Sequence, residues 1–278
     1  MSDRQITINR CGLVYPDRVV VITGGSKGIG EGCARVFADA GARVVICARG
    51  AEAGEALARD LTRRGPGTCE FVRADVGRRE DIERLIEHAV ARHGGLDCLI
   101  NNAGYRPPFA RIDEFTEEQF LAVLQTNLVS YFTASRCALP HLRRRRGSII
   151  MMGSLVARIG EYRSVLYTAA KGGISSMTKS LAIEEAVNGV RVNCVLPGNI
   201  LSDSRRRGIA ALPLQVREEV DRKVDHAQVT GRSGTNEEVG QLCLFLATEA
   251  ASYLTGTEII ISGGSEIGYG QKYPPSWV

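Results

Sequence analysis

The chain has 278 residues, 44% of them apolar, which is enough for one large core or two small ones. Its net charge of +4, with both signs mixed along the chain, is too mild to argue for a nucleic acid or a membrane surface as partner. No apolar run approaches the ~18–20 residues of a membrane span, and the four histidines form no recognisable ligand set, so no catalytic metal is expected.

Residues 1–17 read as a short polar lead-in with no leader-like basic and apolar pattern. Val19 to Ile22 is an apolar run ending in Thr23-Gly24-Gly25-Ser26-Lys27-Gly28-Ile29-Gly30. Cys33, Val36, Phe37 and Ala40 follow at helical spacing up to Gly41, and Val44 to Cys47 is the next strand. Strand, glycine-rich turn, helix, strand is the context a dinucleotide fingerprint requires. Glycine lets the turn be tight and lets a pyrophosphate approach the backbone at the helix N-terminus, where free N–H groups favour anions. An ordinary tight turn is the plainer alternative.

The alternation continues. Glu52 to Arg64 and Arg79 to Arg92 read as helices, and Cys69 to Val72 and Cys98 to Ile100 as strands, the first ending near Asp75 and the second running into Asn101-Asn102-Ala103-Gly104. Thr116 and Gln119 predict a capping box opening one long helix through Asn127 to about Leu142. The basic run Arg143 to Arg146 then suits a helix C-terminus. Ser148 to Met152 is a strand, Val190 to Val195 another, ending at Pro197-Gly198, which a simple turn would also explain. Residues 199–229 read as irregular and charged. Thr235 and Glu238 predict a second capping box for a helix to Ala247, and Thr257 to Ile261 is the last strand. Seven strands alternating with helices predict an α/β single domain: a Rossmann-type doubly wound parallel sheet with its ligand crevice at the carboxyl ends of the strands. Gly24, Ala103, Ser154 and Pro197 all follow strand ends and would gather along that edge.

Within Ser154 to Lys171, Tyr167 and Lys171 are four residues apart and would share a helix face. A phenol titrates near pH ~10, too high for a base at neutral pH, and a neighbouring ammonium is expected to lower it by ~2–3 units. Ser154, just past a strand end, could hydrogen-bond a carbonyl or alcohol oxygen. A solvated helix face is the plain alternative for the Tyr/Lys pair taken alone.

Together, Thr23-Gly24…Gly28-Ile29-Gly30, Asn101-Asn102-Ala103-Gly104, Asn127, Ser154, Tyr167-x-x-x-Lys171 and Pro197-Gly198 resemble the short-chain dehydrogenase/reductases of the non-extended type, in the family's order from about Val19 to Gly264. The run after Asn102, with Pro107-Pro108, Gly198-Asn199-Ile200 and Gly268-Tyr269-Gly270, is most similar to the family's hydroxysteroid dehydrogenase branch. The resemblance implies roles. Tyr167 is the general acid/base, Lys171 lowers its pKa and binds the nicotinamide ribose, Ser154 holds the substrate oxygen, and Asn127 holds a water that links Lys171 to solvent. Gly24, Ser26, Gly28 and Ile29 line the pyrophosphate. Asp75 and Val76 meet the adenine, though Asp75 could simply cap a loop. Asn102, Ala103 and Gly104 meet the adenosine side, and Pro197, Gly198, Ile200 and Ser202 position the nicotinamide.

In NAD-preferring members an Asp closes the second strand. Here Ala48 stands there, followed by Arg49. A guanidinium pairs with a 2′-phosphate where a carboxylate would repel it, and Lys27 adds a second cation nearby, so NADP(H) is the expected cofactor, with NAD(H) possible. Tyr105, Leu155, Glu161, Tyr162, Leu166 and the 199–229 segment, read as a lid, are expected to line or cover the substrate pocket. The Arg205 to Arg207 run could attract an anion or be a solvated helix face. The substrate expected first is a secondary alcohol or ketone on a ring system, with a sugar, polyol or polyketide carbonyl next. A catalytically silent cofactor sensor would be favoured by loss of Tyr or Lys, and both are present. Eight cysteines (Cys11, Cys33, Cys47, Cys69, Cys98, Cys137, Cys194 and Cys243) without a Cys-x-x-Cys pair fit reduced thiols, hence a cytoplasmic protein. The aromatics of the 263–278 tail (Tyr269, Tyr273, Trp277) imply docking on something. By resemblance, the assembly is a homotetramer.

Overall fold

The computed structural model describes residues 12–201 and 209–267, with only the backbone for 221–226. Strands β1 (Val19–Thr23), β2 (Arg43–Ala48), β3 (Thr68–Arg73), β4 (Cys98–Asn101), β5 (Ser148–Met152), β6 (Arg191–Pro197) and β7 (Glu258–Ile261) form one sheet in the order β3-β2-β1-β4-β5-β6-β7. Every pairing is parallel, in registers such as Val21↔Val45 and Leu99↔Ile149. The connections run outward in opposite directions from β1 and β4, so a crevice opens between the carboxyl ends of those two strands.

The helices are α1 (Gly28–Asp39), α2 (Ala51–Arg64), α3 (Arg79–His93), α4 (Glu117–Leu124), α5 (Ser130–Arg145), α6 (Val156–Ile159), α7 (Val165–Glu185), α8 (Leu214–His226) and α9 (Asn236–Ala247). Successive strand residues face opposite sides. Val20, Ile22, Val44, Ile46, Ile100 and Ile150 therefore pack with Phe37 of α1, Leu61 of α2 and Leu244 of α9. Their neighbours Val19, Val21, Val45, Leu99, Ile149 and Met151 pack with Ile82 and Leu85 of α3, Tyr131 of α5 and Ile174 of α7. Covered faces explain why the strands read as continuous apolar runs rather than alternating ones. α1 and α9 approach backbone to backbone: a Cβ on Gly32 would stand 2.4 Å from the Asn236 carbonyl carbon.

Both capping boxes are present. Thr116 Oγ1 accepts from Gln119 N at 3.3 Å, and Thr235 Oγ1 accepts from Glu238 N at 3.2 Å. Three readings change. The long helix after Thr116 is broken by a π-turn at Gln125–Val129, because the Asn127 side chain bonds to the Val123 carbonyl and to the loop after β4. The irregular 199–229 segment contains α8. Its apolar stripe is one residue wide, Val216 and Val220 among charges, which is too thin to register as a period. The lead-in is not wholly peripheral either: Tyr15 is buried edge-on against Phe37, with ring centroids 5.7 Å apart. Arg143 does close a helix, paired with Glu185 at 2.6–2.9 Å. Ser202, Arg205 to Arg207 and the tail from residue 268 lie outside the described residues. No helix among the described residues is long and apolar enough to cross a membrane, and the seven cysteines among them are free.

Candidate active site

The glycine turn after β1 and the end of β4 are built as one unit. Thr23 Oγ1 accepts from Asn102 N at 2.9 Å and Ala103 N at 3.0 Å, and Asn102 Nδ2 donates to the carbonyls of Thr23 at 2.9 Å and Gly24 at 3.2 Å. Space around this knot is exhausted. A Cβ on Gly30 would sit 2.3 Å from the Gly24 oxygen, and one on Gly24, already at φ +66, would sit 2.9 Å from the Ala103 Cα. α1 begins there with Lys27 as an extended N-cap residue whose side chain makes no capping bond, so the first N–H groups face the crevice without a protein side-chain acceptor at the cap. Bare backbone, no room for side chains and an uncapped positive helix end together fit the pyrophosphate of a dinucleotide.

At the adenosine side, Ala48 ends β2 half-buried, and Arg49 and Lys27 are both exposed. Asp75 is engaged with its own turn, its Oδ1 accepting from Gly77 N at 2.9 Å and its N–H donating to Asp81 Oδ2 at 2.8 Å, and Val76 is buried in the core. At the other side, Pro197 and Gly198 line the cleft, with Gly198 N bonded to the Ile261 carbonyl at 3.0 Å. Ile200 instead packs against Gly234 and the core and does not line that cleft.

Where β5 ends, a cavity of about 230 Å³ is lined by Ile29, Gly104, Asn127, Ser154, Tyr167 and Lys171, among others. The predicted acid/base group and its neighbours therefore converge. Lys171 is buried at 3% exposure, with Nζ donating to the Met152 carbonyl at 2.7 Å and lying 5.3 Å from the Tyr131 ring centroid and 5.6 Å from that of Tyr167. Burial pushes Lys171 down to about 8.

Burial is the dominant influence on Tyr167 and raises its pKa, against the lowering expected from the sequence; the opposing influences are the Arg106 cation and a hydrogen bond with Ser154, while the Lys171 ammonium, 5.6 Å from the ring centroid, also bonds the Met152 carbonyl. Asn127 is fully buried, both Nδ2 protons go to the carbonyls of Tyr105 and Val123, and Oδ1 accepts from Tyr105 N at 3.0 Å. The side chain clamps the loop after β4, and the residue lines the cleft beside Lys171.

The substrate-side residues divide. Glu161 and Tyr162 sit on the loop between α6 and α7 and border an outer groove of about 800 Å³, where Tyr162 is 82% exposed. Leu155 is buried with its N–H on the Pro197 carbonyl, and Leu166 packs with Val123 and Ala170; neither lines the cleft, because an apolar side chain at that helix start finds a dry neighbour first. The residue that sequence reasoning missed is Arg106, whose guanidinium lies 5.1 Å from the Tyr167 ring centroid, 4.7 Å from that of Phe109, and pairs with Glu161. Its signal was available: one cation two residues after Asn-Asn-Ala-Gly, followed by Pro-Pro.

A Rossmann-type sheet whose crevice carries a glycine-walled helix start beside a half-buried Ser and Tyr and a buried Lys defines a nicotinamide-dependent oxidoreductase class, and similarity to known proteins specifies it. The family profile described as enoyl-(acyl carrier protein) reductase matches residues 24–266. L-fucose dehydrogenase of Bos taurus is 43% identical over 261 residues, 94% of each chain. The 3-oxoacyl-[acyl-carrier-protein] reductase of Chlamydia pneumoniae is 36% identical over 88% of this chain and 95% of its own. Among solved structures, L-sorbose reductase from Gluconobacter frateurii, complexed with NADPH and L-sorbose, superposes with a TM-score of 0.86 at 28% identity, over 91% of this chain and 98% of its own. The chain belongs to the short-chain dehydrogenase/reductase family and is an oxidoreductase acting on CH–OH groups.

Proposed function

We propose that the protein reversibly oxidises a hydroxyl on a cyclic sugar or related polyol with NADP+ as the electron acceptor. The observation that carries this reading is the Arg106–Glu161 pair beside Tyr167, a guanidinium and a carboxylate where an apolar ring would need neither. Together they offer donors and acceptors to neighbouring hydroxyls. The similarity to L-fucose dehydrogenases and to a sorbose reductase supports the same reading.

When bound, the nicotinamide supplies the hydride acceptor. Tyr167 takes the hydroxyl proton as the carbon–oxygen double bond forms, leaving a carbonyl product, a reduced cofactor and one proton for solvent. Ser154 donates a hydrogen bond to the reacting oxygen, and Lys171, beneath it, binds the nicotinamide ribose. Arg49 and Lys27 favour the 2′-phosphate of NADP(H), a charge-assisted contact of roughly 1.5–3 kcal/mol.

A panel of L-fucose, L-sorbose and an estrogen, read by the absorbance of the reduced nicotinamide with either cofactor, tests this. Turnover of a sugar or its keto form with NADP(H) is expected. Turnover of the steroid alone would favour the second reading, a hydroxysteroid dehydrogenase, which rests on the motif resemblance to the type-14 17β-hydroxysteroid dehydrogenase. A homotetramer fits the exposed apolar residues Leu121 and Phe132 on α4 and α5 and Ile183 on α7. Sedimentation showing a stable monomer would remove the assembly.

A further inference from the structure

Lys171 is buried and makes no ion pair among the described residues; its Nζ donates to the Met152 carbonyl at 2.7 Å. A second donor reaches the same oxygen, the hydroxyl of Tyr131 on α5 at 3.3 Å. The face of the Tyr131 ring is turned to the ammonium, its centroid 5.3 Å from Nζ. The sequence of α5 accounts for this placement. Tyr131, Ala134, Ser135, Ala138 and Leu142 form the buried stripe of that helix. The three positions after Tyr131 on the stripe are small, and Ser135 Oγ accepts from Asn101 Nδ2 of β4 at 3.0 Å, so α5 lies close on the sheet and the Tyr131 side chain reaches the last carbonyl of β5. A buried phenol needs an acceptor for its hydroxyl wherever it packs. Here that acceptor is the oxygen the ammonium also uses.

We propose that Tyr131 is a positioning residue for the reaction: its hydroxyl anchors the ring to the Met152 carbonyl, and the ring face holds the Lys171 ammonium in place and charged beside Tyr167. The inference rests on Lys171 serving the Tyr167 phenol and the nicotinamide ribose, as proposed above. A cation over an aromatic face is attracted by the ring quadrupole, most strongly where water is excluded. Burial opposes the charge and brings Lys171 down to about 8, so loss of the ring face would discharge it within the neutral range. The other groups that face it have separate parts. Tyr167, on the same helix and 5.6 Å away, is a second ring, but its own charge changes in the reaction. Cys194 of β6 is held as a thiol, pushed up to about 11 by burial, and β5 offers only the Met152 backbone. Glu258 of β7, near Cys194, is taken by Arg158 at 2.6 Å and Lys179 at 3.0 Å, and Arg106, at the Tyr167 ring, is a like charge. Burial keeps Tyr131 protonated, so it acts through its ring and hydroxyl and not as a second base.

The chain has five lysines (Lys27, Lys171, Lys179, Lys223 and Lys272), so the Lys171 side chain can be titrated by NMR in full-length protein carrying isotope-labelled lysine, with Lys171→Arg assigning its signal. Tyr131→Leu removes ring and hydroxyl together and should move that titration down by about one pH unit, while Tyr131→Phe, which keeps the ring, stays near the parent. A fluorinated phenylalanine placed at residue 131 keeps the shape of Phe but drains the negative face of the ring. It should titrate below Tyr131→Phe, and it decides the case if Tyr131→Leu fails to fold. A fluorinated ring whose titration superimposes on that of Tyr131→Phe would overturn the proposal. With any alcohol that is turned over, kcat of Tyr131→Leu should fall about fivefold at pH 8 and little at pH 6, the gap that a shift of one unit from about 8 produces. An equal loss at both pH values would mark a packing defect alone and count against the proposal. The titration needs neither cofactor nor substrate, so its outcome is separate from that of the sugar reading, which the substrate panel decides.

Discussion

At the amino ends of the strands, Asp97 is buried at 3% exposure yet accepts from Arg18 Nη1 at 2.8 Å and from Val19 N at 2.9 Å, and Glu185 is held in the same way by Arg143 and Asn188. At the carboxyl ends, Lys171 is as deeply buried but bonds only a carbonyl, and α1 starts without a side-chain cap. Burying a charge beside its counter-ion holds a fold together; burying one without it leaves interaction energy for a ligand. The first arrangement fastens the sheet, and the second is where we propose that an anionic cofactor and a developing oxyanion find their partners.

Changes at the carboxyl end should harm function more than folding, and the largest is expected at Gly30. Gly30→Val would drive a side chain into the Gly24 oxygen, and overpacking of about 1–3 kcal/mol at the pyrophosphate turn predicts a tenfold to hundredfold loss of cofactor affinity by fluorescence titration. At the amino end, Asp97→Ala leaves Arg18 and the Val19 N–H without their acceptor and should lower stability by about 2 kcal/mol in urea denaturation, with kcat preserved in the folded fraction. Preserved stability there would break the contrast. Ala48→Asp should move the kcat/KM ratio toward NAD by about tenfold; an enzyme already favouring NAD, unmoved by that change, would contradict the assignment to Arg49 and Lys27.

The smallest effect is a slope. Lys171 holds its proton to pH 10.5 when unfolded but only to about 8 when folded. Between those values the unfolded chain binds more protons, so this group makes stability rise with pH across that window and contributes no slope below it. Lys171→Met should lack the rise, which paired denaturation curves from pH 7 to 10 would reveal.

Much of the cofactor side could be read in the sequence, because it is made of backbone. Gly24 and Gly30 stand where a Cβ would collide and Gly28 where φ is +59, and the Asn-Asn-Ala-Gly run locks that turn. The substrate side is made of side chains brought together from loops distant in sequence. Arg106 and Glu161 are 55 positions apart, the π-turn depends on where the Asn127 amide finds acceptors, and the burial that raises Tyr167 comes from packing. Spacing on one helix placed Lys171 beside Tyr167, but it could not show that the ammonium also bonds the Met152 carbonyl.

The most direct measurement is single-turnover reduction of NADP+ by a sugar alcohol in the parent and in Tyr167→Phe, with cofactor affinity determined on the same samples. A loss of hydride transfer of about a hundredfold or more at unchanged affinity is the predicted result. Equal rates in the two proteins would contradict the assignment of Tyr167 as the group that moves the proton.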